Sequence, residues 1–362
     1  MKKIIALLLV ITALFSLAAC SKAEKRIYFD ALDDNVKFSG VVFVTENGDT
    51  VYEKAGGYEK SSTKDPITTD TLFCIGSVSK QIAAAAILTL KQDDKLSVDD
   101  HLSKYYPKYA YGDDITIRHL LDMRSGIKEF YDVEYIDDAF TELPTGKLRG
   151  VLTNDNTVEE NRQKLEDWIL KQPLEFSPDT DFDYCNSNYF LLARIVEKVS
   201  GMSYIDYVHK NIFEPLGMKH SGFIDEVEFK NVPHLAAPTV HPQTVYVGIT
   251  MGLGDMISNA RDMDLWLTSL RTHTILSEDS VDMMGTDYTP GDDVDYGFGV
   301  RVIGNGMFHS GSITTYQAMV YTDPDKELNI FAVTNDEPNA CLSVSDIIWK
   351  LLDQIKVQET KP

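Results

Sequence analysis

Ser77-Val78-Ser79-Lys80 stands at the head of an apolar run and has the composition of an acyl-transfer nucleophile with its base. Residues three apart on a helix share a face, so an amine at position 80 can reach a hydroxyl at position 77. A serine hydroxyl is a weak nucleophile at neutral pH and needs a neighbouring base. A lysine meets that need only where desolvation or a nearby charge favours its neutral form. The run that follows, Ile82, Ala83 to Ala86, Ile87, Leu88 and Leu90, is apolar nearly all round and predicts a buried helix from Lys80 to Lys91. Its N-terminus would aim orphan N–H groups at charge developing near Ser77. Taken alone, the same four residues also read as an N-capping serine followed by a surface lysine.

Two further groups have types suited to the same reaction. Tyr184-Cys185-Asn186 follows the turn-rich stretch Phe176 to Asp183 and leads into a helical run. A phenol beside an ammonium is stabilised as phenolate, so Tyr184 can relay a proton between Ser77 and a leaving group. Asn186 can bond both Lys80 and a substrate amide. His309-Ser310-Gly311-Ser312 ends a short β run, where Gly311 lets a substrate backbone approach the strand closely. The Ser312 N–H can join that of Ser77 as an oxyanion hole, each donor being worth about 3 kcal/mol. His309 would supply a donor or a positive charge beside it. In isolation each group has a plainer reading: a packed tyrosine with a turn asparagine, and a structural histidine.

The elements that must position these residues follow from pattern. Phe38 to Thr45 and Thr50 to Glu53 flank Asn47-Gly48, a strong hairpin signal. From Val98 to Asp293 the chain is mainly helical pieces and loops: Thr116 to Met123, Val158 to Leu170, Asn188 to Val199, Tyr204 to Ile212 and Arg261 to Leu270, with breaks such as Ser125-Gly126, Ser200-Gly201 and Leu216-Gly217. Sheet character returns in Tyr296 to Ile303, Met307 to His309, Gln317 to Tyr321 and Leu328 to Val333, and an amphipathic helix from Val344 to Ile355 closes the chain. The expected fold is α/β (α+β): one antiparallel sheet built from both chain ends and flanked by helices, with a mostly helical lobe inserted. The sheet lobe would take about 27–76 and 294–358, the helical lobe about 77–293, and 27–358 would form one domain with its site in the cleft.

The ends and the composition set the compartment. Lys2 and Lys3, the apolar run Ile4 to Leu17 and the small residues before Cys20 have the layout of an export signal over 1–19. It is too short for a spanning helix. Leu17-Ala18-Ala19-Cys20 resembles the bacterial lipoprotein box, which implies lipidation at Cys20, a tether over 20–26 and an extracytoplasmic protein held to a membrane by its lipid anchor only. With 34 basic against 56 acidic residues the net charge is −22, and loss of Lys2 and Lys3 makes the mature chain more acidic still. Such a surface argues against nucleic acid or anionic lipid as the partner. Beyond Cys20 there remain Cys74, Cys185 and Cys341. No CxxC or Cys/His spacing marks a metal site and no cofactor motif is present. Cys74 and Cys185 are expected as buried thiols, a disulfide between them being geometrically conceivable.

The three groups, in this order and in these settings, resemble the motifs SxxK, Tyr-x-Asn and Lys/His-x-Gly of the serine β-lactamase and penicillin-binding-protein superfamily, most closely its class C β-lactamase-like branch of carboxypeptidase- and esterase-like enzymes. The likeness extends through Ile115 to Leu121 with Ser125-Gly126, Phe213 to Met218, Gly254 to Asp262 and Tyr296-Gly297-Phe298-Gly299. It implies a β-lactamase/transpeptidase-like fold, with Ser77 as the acylated nucleophile and Lys80 and Tyr184 as proton-transfer partners. Asn186, His309, Gly311 and Ser312 would bind substrate, a small peptide, an ester or another cell-wall-related molecule. Class C β-lactamases usually carry Lys where this chain has His309, which turns the expectation from β-lactam turnover toward a D-alanyl-D-alanine carboxypeptidase, a D-peptidase or an esterase. Asp122-Met123-Arg124 stands where relatives often carry Thr-His-Thr, and Asp179 where many carry Gly. Weak β-lactamase activity, or a penicillin-binding sensor or scaffold without turnover, are the alternatives on the same residues.

Overall fold

The computed structural model describes residues 38–359 apart from 137–138, 145–147, 149–150, 154, 227–231, 238–247, 292–294, 314 and 337–343. The export signal, Cys20, its tether and Cys341 lie outside the described residues.

Asn47 and Gly48 both take positive φ, 52° and 77°, and turn the chain between β1 (Gly40–Glu46) and β2 (Asp49–Gly56). The short strand β3 (Phe73–Cys74) leads to the turn that carries Ser77. The hairpin β4 (Tyr131–Ile136) and β5 (Ala139–Pro144) rises from the middle of the chain, and β6 (Gly222–Phe223) and β7 (Met256–Ser258) pair with β3 in the order β3-β7-β6. The C-terminal part supplies β8 (Arg301–Ile303), β9 (Gly306–Ile313), β10 (Tyr316–Asp323) and β11 (Leu328–Thr334).

The main sheet runs β2-β1-β11-β10-β9-β8, antiparallel throughout, so the first strand of the described chain lies against the last, with Gly40 opposite Thr334. Both faces are covered, which explains why β11 is buried at every residue instead of alternating. On one face the C-terminal helix, Val344–Glu359, packs Ile347, Ile348 and Leu351 against Val42, Val44, Met319 and Ile330. On the other, Val41, Phe43, Val320 and Val333 join the large core that contains the helix Ser79–Gln92. That helix is buried from Ser79 to Leu90, and Ala83 to Ala86 give it the slim profile to run through the centre of the molecule.

The fold is the expected mixture of helix and antiparallel sheet, with three differences of detail. β4, β5, β6 and β7 add strand pairs to a middle section expected to be mainly helical. The stretch 296–303 is strand only at Arg301–Ile303, because Gly299 (φ 71°) bends the preceding residues into a tight turn closed by a Tyr296–Arg301 bridge. The expected helix from Tyr204 keeps α geometry only over Tyr204–Val208 and widens to π geometry over His209–Phe213. Among the described residues no helix is long and apolar enough to cross a membrane.

Candidate active site

Ser77 sits in the 3-10 turn Gly76–Val78, between β3 and the buried helix, and is partly exposed. Gly76 enters the turn at φ 53°, which suits glycine. The neighbouring Ser79 fixes the turn from below: its hydroxyl donates to the Gly76 carbonyl (2.6 Å) and accepts from the Met256 N–H (3.1 Å). Lys80, one helical turn on, has no exposed surface. Its Nζ donates to Ser77 Oγ (3.0 Å), Asn186 Oδ1 (2.8 Å) and the Leu253 carbonyl (2.9 Å), so each of the three ammonium protons has an acceptor. The amine also lies 4.8 Å from the centre of the Tyr184 ring and 5.7 Å from that of Tyr189, a favourable placement for a cation.

Asn186 opens the helix Asn186–Ser200, and the loop before that helix is stitched to residues 123–129. Ser125 Oγ donates to Asn188 Oδ1 (2.6 Å), Ser187 Oγ to the Lys128 carbonyl (2.7 Å), and Cys185 Sγ to the Ile127 carbonyl (3.2 Å). Cys74 and Cys185 are buried free thiols, and burial pushes both thiols up out of the reactive range.

Strand β9 closes the other side. A Cβ on Gly311 would fall 1.9 Å from the Ile75 oxygen and 2.8 Å from the Ser77 nitrogen, and one on Gly76 would fall 2.7 Å from the Ser312 nitrogen. The strand therefore touches the Gly76–Val78 turn main chain to main chain, and the Ser312 backbone is brought up beside that of Ser77. His309 points into the protein, with 2 % of its surface exposed. Its Nδ1 lies 2.6 Å from the Ser310 carbonyl and must donate there, which leaves Nε2 to accept from the Tyr296 hydroxyl at 3.2 Å. Burial first, and the Lys80 charge second, lower its pKa to about 3. The expectation of a positive charge at this position is thus corrected: the imidazole is neutral, both nitrogens are used within the protein, and its ring supports Tyr184 at 6.1 Å between centroids.

The structure brings Ser77, Lys80, Tyr184, Asn186, His309, Gly311 and Ser312 into one site. It also contains groups that the sequence reading did not name. The Leu253 carbonyl is a main-chain acceptor, invisible to any motif. Glu129 lies partly exposed beneath Asn186: its Oε1 accepts the N–H groups of Phe130 (2.7 Å) and Tyr131 (2.9 Å), and its Oε2 accepts that of Asn186. Burial raises its pKa to about 7 against the lowering effect of these bonds and of Lys80. The only sequence signal for it was a carboxylate three residues after Ser125-Gly126. Among the described residues no cluster of His, Cys, Asp and Glu could hold a metal ion.

The chain is similar to known proteins over most of its length. A family model described as beta-lactamase matches residues 28–349. The teichoic acid D-alanine hydrolase of Staphylococcus aureus (strain MRSA252) is 25% identical over 358 residues, covering 94% of this chain and 81% of its own length. A D-aminopeptidase of Brucella anthropi is 26% identical over 326 residues, covering 87% of this chain and 58% of its own. Among solved structures, the octameric penicillin-binding protein homologue from Pyrococcus abyssi superposes with a TM-score of 0.72 at 27% identity, over 97% of this chain and 78% of that one.

Proposed function

Since the chain belongs to the beta-lactamase family and is a serine hydrolase with the β-lactamase/transpeptidase-like fold, we propose that it cleaves small peptides, amides or esters of the cell envelope through an acyl group carried on Ser77. The observation that carries this reading is the single amine of Lys80 bonded at once to Ser77, Asn186 and Leu253. On this reading Lys80 in its neutral form, with Tyr184 beside it, takes the Ser77 proton as Oγ attacks the scissile carbonyl. The tetrahedral oxyanion is held by the Ser77 and Ser312 amides. The proton passes to the leaving amine or alcohol as its bond to the acyl carbon breaks. Water then attacks the ester on Ser77, releases the acid and returns a proton to the serine. Neutral His309 makes the site a poor holder of a substrate carboxylate, which favours peptidase or esterase chemistry over efficient β-lactam turnover.

Ser77→Ala should abolish both ester turnover and covalent labelling by a fluorescent phosphonate, followed by gel and intact mass. Labelled or active Ser77→Ala protein would overturn the proposal. A wild-type adduct that never decays would favour the sensor reading instead. The same proposal places the enzyme outside the cytoplasm, anchored through lipid on Cys20.

A further inference from the structure

Tyr296 stands between the second and third groups of the site, and the reaction just described gives it no part. It is fully buried. Its ring lies edge-on to Tyr184 (6.3 Å between centroids, planes at 83°) and to His309 (6.0 Å, 81°), with Phe182 at 5.6 Å. The turn that carries it is anchored elsewhere. The Tyr296 N–H donates to Thr289 Oγ1 (2.9 Å), its carbonyl accepts the Tyr288 N–H (3.0 Å), and the Phe298 N–H donates to the Met284 carbonyl (3.0 Å). A Cβ on Gly299 would fall 2.6 Å from the Lys80 carbonyl oxygen, so the same turn also lies against the helix that holds Lys80. Tyr296 is thus a fixed point between two rings of the site.

Its hydroxyl decides which nitrogen of His309 carries the proton. A neutral imidazole has one N–H and one acceptor nitrogen. The Ser310 carbonyl can only accept, so at 2.6 Å the proton is on Nδ1, and Nε2 needs a donor in surroundings closed to water. The Tyr296 hydroxyl, at 3.2 Å, is that donor. The Tyr189 hydroxyl nearby donates to the Leu121 carbonyl (2.8 Å) and so does not replace it. The opposite tautomer would set the Nδ1 lone pair against the Ser310 oxygen, two acceptors face to face. Ser310 and Ser312 are two residues apart on β9, so their main-chain groups point to the same side of the strand. Ser312 supplies the N–H proposed for the oxyanion.

We infer that Tyr296 is a positioning residue for acyl transfer: its hydroxyl holds His309 as the Nδ1–H tautomer, the imidazole holds the Ser310 carbonyl, and β9 is thereby kept with the Ser312 N–H aimed at the oxyanion. The Tyr296 ring, edge-on to Tyr184, keeps the phenol beside Lys80. This rests on acyl transfer through Ser77 and adds the group that aligns it. Acylation and deacylation both pass through an oxyanion, so a misaimed donor slows both. An interaction made only in the transition state lowers kcat and kcat/KM alike and leaves KM unchanged.

The test is Tyr296→Phe, which keeps the ring against Tyr184, Phe182 and His309 and removes only the hydroxyl. With p-nitrophenyl acetate, kcat per serine titrated by a fluorescent phosphonate should fall roughly tenfold or more with KM unchanged. A second readout follows the imidazole itself. In nitrogen NMR spectra of protein with isotope-labelled histidine, the His309 signals are assigned by their absence from His309→Gln. They should show the proton on Nδ1 in the parent and exchange between both tautomers in Tyr296→Phe. Parental kcat per titrated serine in Tyr296→Phe would overturn the inference, because a part in folding alone lowers the titrated fraction and not the rate per site. So would a rise in KM at constant kcat, a parent His309 with its proton on Nε2, or a tautomer unchanged in Tyr296→Phe. Ser77→Ala separates the two levels. If it hydrolyses p-nitrophenyl acetate as fast as the parent, the acyl-serine reading itself fails; if it does not, and Tyr296→Phe matches the parent, only the role of Tyr296 fails.

Discussion

Arg124 donates from Nε to the Asp179 carboxylate at 3.1 Å and from Nη2 to the Asp179 carbonyl at 2.7 Å. Two departures from the family pattern, 55 positions apart, are therefore one contact. It joins the loop after Ile117–Leu121 to the loop that delivers Tyr184 and Asn186. Asp179 holds φ 67°, where glycine is at ease and aspartate is mildly strained. Replacing it by Gly relieves that strain while losing an exposed ion pair, so Asp179→Gly should leave stability within about 0.5 kcal/mol. Arg124→Ala also removes the bond to the carbonyl and should cost about 1 kcal/mol. A double-mutant cycle by urea denaturation checks the pair; additive effects would show that the two residues are not coupled.

Much of the site was legible because its chemistry is local. The Ser77–Lys80 spacing states a helical contact outright, and Asn47-Gly48 fixes the first hairpin by turn chemistry alone. What escaped lacks a periodic or compositional trace. Phe73–Cys74, Gly222–Phe223 and Met256–Ser258 are too short to alternate, so the small sheet under the nucleophile turn was unreadable. The Leu253 oxygen belongs to the backbone, and Glu129 acquires its meaning only from N–H groups gathered by the tertiary fold. His309 was read by residue type as a donor or cation. The burial that makes it neutral comes from Tyr296, Tyr184 and Lys80, which the sheet and helices bring in from elsewhere.

Gly311→Ala should be close to inactive. The new Cβ would meet the Ile75 oxygen and the Ser77 nitrogen, both main chain, and only a shift of β9 away from the nucleophile turn could relieve it. Loss of one oxyanion donor costs roughly 100- to 1,000-fold in kcat. Steady-state turnover of an activated ester should fall by at least that factor, with circular dichroism reporting that the sheet persists.

Asp255 gives the fold a pH signature. It is fully buried, its Oδ1 accepts the Gly252 N–H at 3.1 Å, and its Oδ2 has no partner among the described residues. Burial, with the nearby Asp225 adding to it, raises its pKa to about 8. The folded chain thus keeps a proton that the unfolded chain releases above about pH 4, so this group withdraws stability as pH rises between about 4 and 8. Asp255→Asn removes the titration. Its melting temperature relative to the parent should climb from pH 5 to pH 8, by the equivalent of roughly 3 to 4 kcal/mol. Comparison with the parent cancels His119 and His309, whose lowered pKa values act in the opposite sense below about pH 6.5. A difference that does not vary with pH would contradict the assignment.

Cys20→Ser should release the enzyme from membranes. In a bacterial expression host the parent should sediment with the membrane fraction and incorporate labelled fatty acid, and the variant should do neither while keeping its specific activity. Labelling of the Cys20→Ser protein would locate the anchor elsewhere.

The pairing of β1 with β11 ties the birth of activity to the synthesis of residues 328–334. Residues 40–46 wait for residues 328–334 before the sheet has a centre, and β9, which closes the cleft over Ser77, hangs on that centre through β10. So distant a closure is slow, and it leaves apolar strands uncovered while the chain is incomplete. A ribosome that stops anywhere before residue 328 leaves Ser77, Lys80, Tyr184 and Asn186 all present in the product and no hydrolase. The proposed catalytic groups begin at residue 77, and the cleft they face closes only when residues 306–334 have been made.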